Sequence, residues 1–179
     1  MIEENEENNK FLNIDNEGIF DSIQFKKEKY NNGEYSGEFK EGKRNGQGKY
    51  TWKTKSSYEG QFKNDNFNGK GVFTWANGEK YYGDFKNGVK EGKGIYEYPS
   101  GSKYEGNFVN GKRHGKGVFY FKSGNRYEGD FKNDRRDGEG IMYYKNGDKE
   151  MGNYSKDKKV GKHLFWYRDG KIETKDYKI

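Results

Sequence analysis

The chain of 179 residues contains no cysteine, which excludes disulfides, thiolate metal sites and cysteine nucleophiles. No run approaches the ~18 consecutive apolar residues that a spanning helix requires. The opening Met1-Ile2-Glu3-Glu4-Asn5-Glu6-Glu7 is acidic, the reverse of a secretory leader, and lacks the Met-Gly start of a myristoylation signal. The expectation is a cytoplasmic protein, neither secreted nor transmembrane. Without a secretory route, Asn153-Tyr154-Ser155 is a chance match to a glycosylation acceptor. Aliphatic side chains are also scarce. Hydrophobic residues make up 28% of the chain and aromatic residues alone 18%, so a thick Leu/Val/Ile core is excluded. With 36% charged residues and 27 glycines, composition alone resembles disorder. The abundance of rings opposes that reading and favours a fold that buries ring faces in a thin layer.

Charge is unevenly placed. Residues 1–25 hold seven acids against one base, a net of −6, so with +6 overall the remainder carries +12. This asymmetry points to an anionic partner, or to a leader that folds back on a basic body. Phe11, Leu12, Ile14, Ile19, Phe20, Ile23 and Phe25 form the one aliphatic-rich stretch. It reads as an arm covering the first edge of a repeat fold, which needs a cap, or as a docking peptide.

From Tyr35 onward a 23-residue period governs the chain. Tyr recurs at 35, 58, 81, 104 and 127, Gly two residues later, and Phe at 39, 62, 85, 108 and 131. A second pair of glycines follows at 46/48, 69/71, 92/94, 115/117 and 138/140. Such a period identifies a repeat architecture. Tyr58-Glu59-Gly60-Gln61-Phe62-Lys63 alternates ring or glycine with polar residues, the pattern of a half-buried strand. Residues 64–70 read as a loop, Gly71–Trp75 as a second strand, and Ala76-Asn77-Gly78 as a turn. Gln24–Tyr30, an Asn31-Asn32-Gly33 turn and Glu34-Tyr35 read as a half repeat. Gly60 is expected to leave a shelf for a neighbouring ring. About twelve strands ~4.8 Å apart give a sheet on the order of 50–55 Å long. At the C-terminal end the pattern decays: Glu150 stands where Tyr is due and His163 where Gly is due.

Tyr-x-Gly-x-Phe-Lys-x-Gly-x-x-x-Gly-x-Gly at this period resembles the MORN (membrane occupation and recognition nexus) repeat. The resemblance implies an all-β fold: an elongated, twisted, single-layer antiparallel sheet, a meander of hairpins. The expected organisation is an acidic arm or cap over 1–25, its first ten residues disordered, and a repeat sheet over 26–179. That sheet has five regular repeats over 35–149, with a degenerate sixth and a C-terminal cap over 150–179. Asp65, Asp134 and Asp157 depart from the pattern by replacing a loop glycine, and Lys55 by replacing a turn glycine.

No catalytic constellation emerges. The Gly-x-Gly pairs precede a strand rather than a helix, unlike a dinucleotide fingerprint. His114 and His163 lack local partners, and the carboxylates are dispersed by the repeat. No enzyme, cofactor or metal site is expected. Two surfaces remain. The first is an aromatic trough of Trp52, Tyr58, Phe73, Trp75, Tyr81, Tyr98, Tyr104, Phe119, Phe121, Tyr127 and Tyr144, suited to a helix or extended peptide of a protein partner. The second is a basic loop edge of Lys43, Arg44, Lys90, Lys112, Arg113, Arg135, Arg136, Lys158 and Lys159, suited to anionic phospholipid, including phosphoinositide, or to an acidic protein. Nucleic acid is disfavoured for want of a groove-reading helix or ribbon. Homodimerisation through a sheet end is a further option. The resemblance implies a scaffold or adaptor in a cytoskeletal or ciliary complex.

Overall fold

The computed structural model describes residues 23–178, and the arm expected over residues 11–25 lies almost wholly outside them. Fourteen strands follow in chain order: β1 (Gln24–Tyr30), β2 (Gly33–Lys40), β3 (Lys43–Trp52), β4 (Ser57–Lys63), β5 (Asn66–Thr74), β6 (Lys80–Lys86), β7 (Val89–Glu97), β8 (Lys103–Val109), β9 (Lys112–Tyr120), β10 (Arg126–Lys132), β11 (Arg135–Tyr143), β12 (Lys149–Ser155), β13 (Lys158–Trp166) and β14 (Ile172–Tyr177). Each pairs antiparallel with the next in one open sheet. Fourteen strands, two more than the sequence reading counted, span about 60 Å at normal strand spacing. Among the described residues there is no helix, hence none long and apolar enough to cross a membrane. The end strands leave exposed apolar side chains, Phe25 on β1 at 65% and Ile172 on β14 at 60% exposure.

The expected loop over residues 64–70 is a correction. It is a two-residue turn, Asn64-Asp65, with φ of 47° and 67°, and β5 starts at Asn66. Two consecutive left-handed residues define the type I′ turn, whose twist matches that of the flanking strands. Asn87-Gly88, Asn110-Gly111, Asn133-Asp134 and Lys156-Asp157 repeat it.

A single-layer sheet would ordinarily leave every ring half exposed, yet Tyr35, Tyr58, Tyr81, Tyr104 and Tyr127 are all at 0%. The glycine pairs explain this. Gly60 faces Gly71 across the strands, and the Tyr58 ring lies flat over that pair. A β-carbon added at Gly71 would come within 2.6 Å of Tyr58 Cε2. The shelf therefore holds its own strand's ring, not a neighbour's. A bulge between Gly60 and Phe62 presents the Gln61 carbonyl, which accepts the Tyr58 hydroxyl at 2.8 Å. The same tyrosine-to-carbonyl bond recurs at Tyr81–Asp84 and Tyr104–Asn107, both 3.0 Å.

These rings form a ladder. Tyr58 meets Phe62 edge-on at 5.1 Å and Phe85 of the next repeat at 5.1 Å. Tyr81–Phe108 and Tyr104–Phe131, each 5.0 Å, carry the contact onward. Edge-to-face pairs contribute ~0.5–1.5 kcal/mol each beyond area burial, so the core is a one-dimensional chain of such pairs.

Candidate functional site: the aromatic face and its cations

Side chains alternate between the two faces of each strand, and this sorts the residues singled out from sequence. Tyr58, Tyr81, Tyr104 and Tyr127 are wholly buried and form the floor. They cannot touch a partner without unfolding. The remaining trough residues are partly exposed above that floor: Trp52, Phe73, Trp75, Tyr98, Phe119, Phe121 and Tyr144. Joined by Tyr96, they make a zigzag. Trp52–Phe73 are 5.3 Å apart, Phe73–Trp75 4.4 Å, Trp75–Tyr96 5.4 Å, Tyr96–Tyr98 4.8 Å and Phe119–Phe121 4.7 Å.

The basic loop edge, a rail of cations along one side of the sheet as read from sequence, is a second correction. With two-residue turns its members sit on strands, so adjacent residues point to opposite faces. Lys43, Lys112, Arg135 and Lys158 are exposed, whereas Arg44, Lys90, Arg113, Arg136 and Lys159 are partly covered on the aromatic face. The Arg44 guanidinium lies 5.8 Å from Tyr35 and 5.3 Å from Tyr50. Arg113 lies 5.6 Å from Tyr104 and 5.5 Å from Phe119, and Arg136 lies 5.0 Å from Tyr154. A cation over an aromatic face is attracted by the ring quadrupole, more so when desolvated.

This placement accounts for the aspartates that break the repeat pattern. Arg44 Nε donates to Asp65 Oδ1 at 3.0 Å, and the Arg44 amide donates to the same oxygen at 3.0 Å. Arg113–Asp134 and Arg136–Asp157 repeat this at 3.3 and 3.2 Å. Each aspartate occupies the second turn position 21 residues after its arginine, at φ of 67°, 70° and 71°. Aspartate tolerates the left-handed region better than most residues. Where the row holds Phe67 or Lys90 instead of arginine, the turn position is Gly88 or Gly111. This covariation was visible in sequence and went unread.

At the degenerate repeat two departures compensate each other. The His163 ring occupies the space over Gly152 where a tyrosine ring would lie. Its Nε2 reaches the Asn153 carbonyl at 2.8 Å, the bond a tyrosine hydroxyl makes elsewhere. Glu150, at 0% exposure like His163, stands 3.2 Å from His163 Nδ1 through Oε1. Its Oε2 accepts Tyr144 OH at 2.6 Å and Lys159 Nζ at 2.5 Å. Burial alone would raise the Glu150 pKa. The bonds from Lys159, Tyr144 and Tyr177 outweigh it and hold the carboxyl below its ordinary range. A depressed folded-state pKa contributes stability above the unfolded value, and that stability is lost as pH falls through the folded value. Acidification below about pH 4 should therefore open β12–β14 first. Amide hydrogen exchange across a pH series checks this, with protection in β6–β9 outlasting that in β12–β14.

The reverse face was overlooked. Ile95, Val118, Ile141 and Leu164 form a row there, one per repeat, within an open groove of about 1310 Å³, and Val72 continues the row in a smaller groove of about 610 Å³. The walls of the larger groove carry charges that pair across strands, such as Lys70–Asp84 at 2.7 Å and Lys116–Asp130 at 2.8 Å.

A comparison with family models decides the classification: the MORN repeat matches five times in succession, over residues 35–57, 58–80, 81–103, 104–126 and 127–149. The chain belongs to the MORN repeat family. No curated protein sequence matches this MORN chain. Among solved structures it is similar to the TCP domain of Drosophila melanogaster SAS-4, in complex with a proline-rich motif of Ana2. That likeness has a TM-score of 0.54 and 11% identity, covering 94% of this chain and 90% of that one. The TCP10 domain of Danio rerio CPAP, as its E1021V mutant, matches at 13% identity and a TM-score of 0.41. That match covers 92% of this chain and 81% of that one. At 11% identity the SAS-4 likeness is one of fold alone.

Proposed function

We propose that this MORN sheet is a non-catalytic scaffold that holds an extended, proline-rich segment of a partner protein across its strands on the aromatic face. The observation that carries this reading is the partly exposed ring zigzag from Trp52 to Phe121, repeated every two strands. Aromatic-lined surfaces suit the polyproline II helix, which is preformed and gives up little entropy on binding. The pitch agrees. Two strand spacings are about 9.6 Å, and one polyproline II turn of three residues advances about 9.3 Å. A heptad of α-helix advances about 10.5 Å. Over four repeat steps the mismatch grows to about 1 Å for polyproline II and about 4 Å for a helix. The fold of a domain seen with a proline-rich motif supports the same reading. A cytoskeletal or ciliary assembly is the setting implied by the family.

The groove behind the sheet favours a second reading, a segment seated on Ile95 and Val118. Calorimetry with a proline-rich 12-residue peptide separates the two. Trp75→Ala should weaken binding by about tenfold or more, within the range of an aromatic hot spot, while Ile95→Glu leaves it unchanged. The reverse outcome assigns the site to the groove. Anionic lipid through the basic rail is the third option, and the split rail leaves it Lys43, Lys112, Arg135 and Lys158 as exposed contacts.

A further inference from the structure

The covered cations of the aromatic face recur at 44, 90, 113, 136 and 159, and four of them have an acidic partner. Asp65, Asp134 and Asp157 neutralise the three arginines, and Glu150 neutralises Lys159. Lys90 differs. Its turn position is Gly111, which has no side chain to offer, and among the described residues no carboxylate lies within ion-pair distance of its Nζ. Four rings surround it instead: Tyr96 at 4.5 Å, Phe108 at 5.3 Å, and Trp75 and Tyr81 both at 5.6 Å. Burial among them pulls the Lys90 ammonium below the ordinary lysine range, against the more distant pull of Asp134 and Glu79. A cation taken partly out of water with no carboxylate in contact favours an anion that arrives with a ligand.

We infer that Lys90 is the specificity-determining contact of the aromatic face, seating a carboxylate side chain of the bound proline-rich segment beside Trp75 and Tyr96. This rests on the scaffold reading above and names its partner further: an extended segment, prolines at three-residue intervals, and one Asp or Glu at a fixed position. Lys90 lies near the middle of the sheet, on β7, so the segment extends in both directions from the anchored acid. The adjacent row positions, Phe67 and the neutralised Arg113, offer a ring and a guanidinium edge but no net charge. The partner's charge is therefore needed at one place only, and that sets the register of an otherwise repetitive surface.

The test uses the full chain and an array of 12-residue peptides with proline at every third position, each carrying a single Glu, Gln or Lys at one scanned position. The wild-type chain should bind the Glu series about tenfold tighter than the Gln series at one position, as expected for a charge-assisted contact. The preference should shrink as salt rises. Lys90→Met keeps the stem among the rings and should bind the Glu and Gln series equally, with its melting temperature unchanged. Lys90→Glu should prefer the Lys series at the same position. Equal binding of Glu and Gln peptides by the wild-type chain overturns the role of Lys90 and leaves the scaffold reading standing. Failure of every proline-rich peptide to bind overturns both. Lys90-dependent binding to phosphatidylserine vesicles, without any peptide preference, likewise overturns this assignment.

Discussion

Tyr104→Ala is expected to cost about 3–5 kcal/mol, the range for truncating a buried aromatic side chain, and to divide the unfolding transition in two. Tyr104 is at 0% exposure. It lies over the Gly106–Gly117 pair, meets Phe108 at 5.3 Å and reaches Phe131 of the next repeat at 5.0 Å. Alanine leaves a void over two glycines that have no side chains to fill it, and it cuts the ladder between repeats. Burial pushes the Tyr104 hydroxyl up to about 12, so the neutral hydroxyl donates to the Asn107 carbonyl throughout the working pH range. In a repeat protein each unit contacts only its neighbours, and stability sums along the array. A break in the middle should let the two halves melt separately. Trp52 and Trp75 report on the N-terminal half and Trp166 on the C-terminal half. In urea, single-tryptophan versions of Tyr104→Ala should show two midpoints, and Tyr104→Phe should lose about 1 kcal/mol with the midpoints still close.

The second large effect is a rescue. Glu150→Tyr alone places a ring where His163 already lies over Gly152, and strands Lys159 without its carboxylate. His163→Gly alone opens a void over Gly152 beside Glu150 Oε1, a buried oxygen that accepts no hydrogen bond as it stands. Each single change should cost about 3–5 kcal/mol, the first by parting Lys159 from a buried carboxylate and the second by emptying the space of a buried ring. The double variant Glu150→Tyr/His163→Gly restores the tyrosine and glycine pair found in the five regular repeats. It should be less destabilised than either single variant, which requires a coupling of at least about 3 kcal/mol, the upper end for residues in contact. Urea unfolding followed at Trp166 measures all four corners of the cycle. Additive losses would show that the histidine does not replace the tyrosine ring.

Much of this arrangement was legible in the residues. The 23-residue period, the alternation within Tyr58–Lys63 and the aromatic second strands led directly to an open antiparallel sheet. The turns were misread because Asn64-Asp65-Asn66 suggests a loop, whereas two left-handed residues complete a hairpin on their own. That one difference moved Arg44, Lys90 and Arg113 from a loop edge onto strands and turned them to the aromatic face. Glu150 and His163 stood out as departures. Their mutual compensation requires the cross-strand placement of His163 over Gly152, which spacing alone does not reveal. Ile95, Val118 and Ile141 were missed because one aliphatic residue per repeat, set among Lys and Glu, reads as ordinary surface. Only the shape of the assembled sheet gathers them into a groove.

The tryptophans also provide the most direct measurement of where a partner sits. Trp52 and Trp75 stand on the aromatic face, and Trp166, on the same side of its strand as Leu164, stands on the reverse face. Their three indole N–H resonances can be followed while the proline-rich peptide that binds most tightly is added to the labelled chain. The scaffold reading predicts that the Trp75 signal shifts to saturation while that of Trp166 stays in place. Movement of Trp166 with Trp75 unmoved would contradict it.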